Sequence, residues 1–252
     1  MNPAPIEVFV DSRHGMPQGD QFHNDVVFEL PQPIICPDGY QMYLSLLSFS
    51  IPNTWLNVNQ YNDTIIIDNT SYSLPGGNHS SYTLVDALNR LVSGVRFEFS
   101  DISLKATLSS SQPFTVSGTM CSVLGIEPGS HGVSIQSATC VDLSGPNSIY
   151  VSSQLKGNNL DCRGANADNG KLLCRMNINA PPLGVVQYED FSGRGGVLIQ
   201  EDSLTRIRLI LQDEEKRPLQ AAIFFDATIQ IQMLPSNRHR MVVERPFALR
   251  AA

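Results

Sequence analysis

Apolar residues recur at every second position in short runs along this chain, and that period restricts the runs to β-strands with one buried face. Ile6, Val8 and Val10 share one phase, and Val26-Val27-Phe28-Glu29-Leu30 makes a second run. Near the C-terminus Ile207, Leu209 and Leu211 alternate with Arg206, Arg208 and Gln212, while Ile229, Ile231 and Met233 alternate with Thr228, Gln230 and Gln232. These two runs read as half-buried antiparallel strands joined through the charged turn 213–218 (DEEKRP). Between Tyr43 and Ile51 the phase changes: Leu44 and Leu46 hold one side, then Leu47, Phe49 and Ile51 the other. Such a slip predicts a bulge, or one strand shared by two sheets. Turn residues separate the runs, the pattern of an all-β sandwich or barrel.

One segment departs from this period. From Thr83 to Gly94 the apolar residues Leu84, Val85, Leu88, Leu91 and Val92 fall at helical spacing. Thr83 is the expected N-cap, Asp86 complements the positive end of the helix dipole, and Gly94 is the expected stop. Strands are expected at 96–100, 104–108 and 114–117, followed by an apolar turn at 120–126. One amphipathic helix beside a few strands suffices for a small α+β layer with its own core. The expected organisation is therefore an inserted α+β subdomain at 62–135 within a discontinuous β domain formed by 1–61 and 136–252. The Asn-, Gly- and Asp-rich stretch 156–170 reads as a long surface loop.

The chain has 252 residues, long enough to bury a core without metal or disulfide staples. It is 42% hydrophobic and 16% charged, too apolar for disorder, and its sparse charge suits a subunit that hides surface against neighbours. The net charge of −7 speaks against a protein that coats nucleic acid, though not against a local basic arm. The N-terminus does not read as a signal peptide and no run is long enough to span a membrane, so a cytosol-like compartment is expected. Cys36, Cys121, Cys140, Cys162 and Cys174 are widely spaced and read as free, mostly buried thiols. The sequons at Asn62, Asn69 and Asn78 read as polar loop residues.

The most specific catalytic signal is the H-x-D triplet His23-Asn24-Asp25, since non-haem iron oxygenases on related β folds hold Fe(II) with two histidines and one carboxylate. The distal histidine would be His79 or His131, neither of which follows a convincing strand. No H-x-H pair, H-E-x-x-H helix, G-x-S-x-G elbow or phosphate-binding G-x-x-x-x-G-K-[ST] is present. The doublets Glu189-Asp190, Glu201-Asp202 and Glu214-Glu215 put adjacent carboxylates on opposite strand faces, which suits solvated edges rather than glycoside hydrolysis. A single Arg194-Gly195-Gly196 reads as a turn. The tail 238–250 carries Arg238, Arg240, Arg245 and Arg250 against Glu244 alone, interleaved with apolar residues. It reads either as a solvated terminus or as an arm for a neighbouring subunit or packaged nucleic acid. No catalytic, cofactor-binding or metal-ligating residue is assigned, and no cofactor is expected.

Five segments in order carry a resemblance: 51–59 (IPNTWLNVN), 74–78 (LPGGN) leading into Tyr82 and the helix, 114–125 (FTVSGTMCSVLG), 142–151 (DLSGPNSIYV) and 207–213 (IRLILQD). Together they resemble the penton proteins of virophages, Polinton-type viruses and related large DNA viruses with double jelly-roll major capsid proteins, over about residues 8–233. The resemblance implies a single jelly roll with the α+β subdomain inserted, and a non-enzymatic subunit whose pentamers close the five-fold vertices of an icosahedral capsid. Its partners would be further copies of itself and the major capsid protein, with a host receptor for the inserted domain left open. Its place would be the virion, after assembly in the host cytosol or a viral factory. Two alternatives stand beside it. One is a spike, tail or lectin-like receptor-binding module, whose sugar platform would have to be Trp55, a residue that reads rather as an anchor at a sheet edge or subunit interface. The other is the iron oxygenase of His23 and Asp25.

Overall fold

The alternating runs become paired strands in the computed structural model of the chain, which describes residues 3–19, 23–155, 160–161, 168–169, 172–190, 196–219 and 224–236. They fall into two compact units, the first holding the described residues of Met1–Asn53, Ser148–Leu219 and Ile223–Ala252, the second those of Thr54–Asn147. The first unit opens with β1 (Ile6–Asp11), β2 (Met16–Pro17), β3 (Asp25–Ile35) and β4 (Tyr40–Pro52). The second holds β5 (Thr64–Ile67), β6 (Thr70–Ser73), α1 (Ser81–Leu91), β7 (Arg96–Ser100), β8 (Lys105–Ser117), α2 (Met120–Leu124) and β9 (Ser130–Gln136). The first resumes with β10 (Ser148–Ser153), β11 (Leu160–Asp161), β12 (Asp168–Asn169), β13 (Leu172–Asn177), β14 (Val185–Glu189), β15 (Val197–Leu198), β16 (Ser203–Gln212) and β17 (Asp226–Pro235).

Two antiparallel sheets make the first unit: β1-β17-β4-β14, with β15 also on β4, and β13-β10-β16-β3-β2. The chain shuttles between them, since β1, β4, β14 and β17 lie in one and β3, β10, β13 and β16 in the other. That is the strand order of a single jelly roll, and the fold class is thus an all-β sandwich carrying a small α+β insertion. The inward phase is the one the alternation marks. Leu44, Leu46, Phe49, Ile51, Ile229 and Ile231 from one sheet and Val26, Phe28, Val151, Ile207, Leu209 and Leu211 from the other are all buried. The slip in β4 is a bulge: Thr228 faces Ser48 while the next residue, Ile229, faces Leu46, leaving Leu47 without an opposite number. Only with this extra residue can both Leu46 and Phe49 point inward.

The two C-terminal runs are strands, but they are not partners. β16 lies between β3 and β10, whereas β17 lies between β1 and β4 in the other sheet. The turn 213–218 serves a different end from that of a hairpin. Asp213 accepts backbone hydrogen bonds from Glu215 and Arg217, both at 2.9 Å, and pairs with the Arg217 side chain at 2.7 Å. Within the 156–170 stretch, Leu160–Asp161 pairs with Asp168–Asn169, and most of the rest lies outside the described residues.

The second unit is a sheet, β6-β5-β8-β7 with β9 also on β8, and two helices. Its core joins Leu84, Leu88 and Val92 with Phe97, Leu108, Phe114, Val116, Met120 and Leu124. The helix starts earlier than its apolar spacing suggests. Ser80, not Thr83, is the N-cap: its hydroxyl accepts from the Thr83 backbone at 3.2 Å, and the Thr83 hydroxyl accepts from the Ser80 backbone at 2.9 Å. Thr83 thus closes a capping box from the third position, and Asp86 sits beyond the first turn, which holds no acid. The strands expected at 104–108 and 114–117 form one strand, β8, because 109–113 stays extended across a register shift against β9. The apolar turn at 120–126 is instead the short helix α2, with four of its five side chains buried. It ends at Gly125 with φ +68°, where a Cβ would stand 2.5 Å from the Thr139 hydroxyl, so only glycine fits.

Candidate functional site

The H-x-D triplet is committed to structure. Both Asp25 carboxylate oxygens are gripped by Arg208, Nε to Oδ1 at 2.7 Å and Nη2 to Oδ2 at 2.5 Å, a two-point fork across the β3–β16 pair. Asn24 donates to the Leu219 carbonyl at 2.9 Å. The His23 ring tilts against Phe224 with centroids 4.5 Å apart, and no described residue partners its Nδ1. His79 and His131 belong to the second unit. There the His79 backbone N–H donates to Asn57 Oδ1, and His131 Nδ1 lies 3.1 Å from the Thr115 hydroxyl. Among the described residues no three His, Cys, Asp or Glu side chains are grouped to hold a metal ion. Asp25→Asn would leave Arg208 without its anionic partner. A loss of about 1–3 kcal/mol of stability is expected, read by chemical denaturation, with no change in metal content.

The acidic doublets also diverge. Glu214 accepts from the Ser148 backbone at 2.6 Å and Glu215 pairs with Arg217 at 2.9 Å, while Glu189 lies exposed at the end of β14. Residues 193–195 of the glycine-rich turn and the whole tail 238–250 lie outside the described residues. Trp55 is 6% exposed, with Gly145 in the left-handed conformation beside it, and offers no open face to a sugar.

Of the four described cysteines, all free, only Cys121 is buried; Cys36 and Cys174 are intermediate and Cys140 is exposed, so "mostly buried" does not hold. Burial pushes the Cys121 thiol up to about 11, and the enclosure of the Cys174 sulfur, in a residue that is half-buried as a whole, pushes that thiol up to about 12. Iodoacetamide at pH 8 should therefore modify Cys140 rapidly and Cys121 only on unfolding, a contrast that peptide mass mapping reads. A thiol whose pKa is raised by folding stabilises below its ordinary value of 9.0 and loses that contribution as pH climbs through the folded value. Stability should accordingly fall between about pH 9 and 11, and Cys121→Ala should flatten that fall.

What the first unit does offer is an open outer sheet face with an exposed aromatic on it. On the outer side of the β1-β17-β4-β14 sheet, Phe9, Thr228, Ser48 and Glu189 form one cross-strand row, and Asp11, Asp226, Ser50 and Gln187 the next. The rows line an open trough of about 390 Å³. Ser48 donates to the Thr228 hydroxyl at 2.9 Å, and Arg13 reaches Asp11 at 2.6 Å and Asp226 at 3.8 Å. Hydrogen bonds from Arg13, first from its side chain and then from its backbone, hold the Asp11 carboxyl below its ordinary range. Phe9, 75% exposed, flanks these acids, and Ile35 and Leu183 are also exposed on this unit. On the second unit Ile102 is 99% exposed in the β7–β8 turn. Alternation identifies the inward phase and passes over these residues. The one sequence sign of Phe9 is the unbroken apolar triplet Val8-Phe9-Val10, which forces an apolar residue onto the outer face.

No family model and no curated protein matches the chain. Among solved structures, the crystal structure of selenomethionine-labelled mavirus penton protein aligns with a TM-score of 0.51 at 10% identity, covering 92% of this chain and 100% of that one. The VP16–VP17 complex of two major capsid proteins of bacteriophage P23-77 aligns over 92% of this chain and 100% of that one, at 10% identity, with a TM-score of only 0.16, and bears no weight. This chain shares its fold with a penton protein.

Proposed function

We propose that the protein is a structural subunit of a viral capsid, a penton whose pentamers close the five-fold vertices of an icosahedral shell. The observation that carries this reading is the jelly-roll strand order, interrupted after β4 by a compact α+β unit, in a fold that the mavirus penton protein also has. Stacked antiparallel sheets make a stiff block with loops at both ends, which suits a subunit valued for its contacts. Head-to-tail contacts of one kind close into a ring when their rotation fits. The exposed apolar residues of the first unit, with the low charge content of the chain, give such contacts an apolar share. In this reading the 54–147 unit is an inserted domain carried by the vertex, the major capsid protein is the second partner, and the protein resides in the virion.

Native mass spectrometry and negative-stain imaging of the purified protein, alone and with the major capsid protein of the same virus, test this reading. Rings of five, or five-fold capsid vertices that contain the protein, are the expected result. A monomer at every concentration, with no affinity for the capsid lattice, would overturn it. The receptor-binding alternative loses its named residue, because Trp55 is buried.

A further inference from the structure

The trough on the outer face of the β1-β17-β4-β14 sheet is acidic and carries an exposed aromatic, and residues 241–250 of the same polypeptide have the opposite character. Asp11, Asp226 and Glu189 line the trough, and the one cation reaching into it among the described residues, Arg13, is engaged with Asp11 and Asp226. Phe9 stands 75% exposed beside them. Residues 241–250 hold Arg245 and Arg250 against Glu244, interleaved with Met241, Val242, Val243, Phe247 and Leu249, in a chain whose net charge is −7. Guanidinium groups fork onto carboxylates and stack on aromatic rings, and apolar residues between them would cover Phe9.

We propose that this trough is the docking site for the C-terminal segment, about residues 241–250, of the same molecule. Reach permits it. β17 passes the trough at Asp226 and leaves its sheet at Pro235, nine residues on, or roughly 30 Å at about 3.3 Å per residue. Phe247 lies twelve residues beyond Pro235, or about 40 Å of extended chain. The segment can therefore turn back along the sheet with about 10 Å to spare. A tether of this length holds the segment at roughly millimolar effective concentration, so a weak charge-driven contact suffices.

Hydrogen–deuterium exchange of the intact protein tests the proposal. In low salt, amides 241–250 should exchange about ten-fold more slowly than in the free peptide. That protection should vanish in Asp226→Lys/Glu189→Lys and in 0.5 M NaCl, where the screening length shrinks to about 4 Å. Both substituted side chains are exposed, and exchange of β3 and β4 amides reports that the fold is retained. Adding Arg245→Asp/Arg250→Asp to the charge-reversed trough should restore protection. Free-peptide exchange rates in the unaltered protein would overturn the proposal. Protection that grows with protein concentration would place the segment on a second copy, and protection seen only with an added DNA duplex would place it on nucleic acid; either result also overturns it.

Discussion

Phe225→Ala is expected to lower the stability of the first unit by about 3–5 kcal/mol, the range for an aromatic removed from a core that cannot collapse around the gap. Phe225 has no exposed surface; its ring stacks on Phe49 with centroids 5.1 Å apart and meets Phe28 edge-on at 6.2 Å. Phe49 belongs to β4 in one sheet and Phe28 to β3 in the other, so one side chain ties the two layers together. Its backbone N–H also donates to the Ser12 hydroxyl at 2.8 Å, and the Ser12 N–H to the Phe225 carbonyl at 2.9 Å, fixing where the ring enters. Phe225→Leu keeps part of the volume and should cost markedly less. Denaturant melts of the three proteins check both values. An alanine variant as stable as its parent would mean that the sheets meet without this ring.

Leu88→Ala should have an effect of similar size in the other unit, about 2–5 kcal/mol. Leu88 is fully buried on α1, and the core it joins is drawn from residues 58–135, with none from the jelly roll. The two substitutions are therefore expected to act in different places. Amide exchange in Leu88→Ala should rise in α1, β5, β7 and β8 while β3, β4, β16 and β17 keep their protection, and Phe225→Ala should give the converse pattern. A uniform rise across all of these strands in either variant would mean that the units unfold as one.

The strands of the jelly roll were readable because each shows one face to the core, and a period of two survives in the letters. The β4 bulge was readable for the same reason: Leu46 and Phe49 cannot both point inward without an extra residue. Pairing was not readable. Nothing in 207–211 and 229–233 states that the two strands lie in different sheets, since each carries the same half-buried alternation. The helix start was misplaced because apolar spacing begins at Leu84, whereas the cap is a polar exchange between Ser80 and Thr83. Pattern also failed at α2, where Met120, Cys121, Val123 and Leu124 are buried together and no polar face shows the period. The second unit runs from Thr54 to Asn147, wider than 62–135. Trp55 and Val58 before that span are buried, and Val141 and Leu143 after it are partly buried against the core, single residues too isolated to form a pattern. As for chemistry, His23-Asn24-Asp25 has the spacing of a ligand set, but spacing says nothing of Arg208, distant in sequence, whose guanidinium occupies the carboxylate.

The position of β17 bears on how the polypeptide is made. β1 and β4 are held apart by it, with Ile6 registered on Ile231 and Tyr40 on Pro235, so β1 has no sheet neighbour and β4 lacks its neighbour on that side until β17 has left the ribosome. At about 5–20 residues per second, β4 waits roughly ten to forty seconds with its edge open. The described pairings of the second unit all lie within residues 58–136, and that unit can close while the first is still waiting. Synthesis therefore presents one finished body inside an unfinished one. Any delay before β17 emerges lengthens the time in which half-made sheets from separate chains can join at their edges.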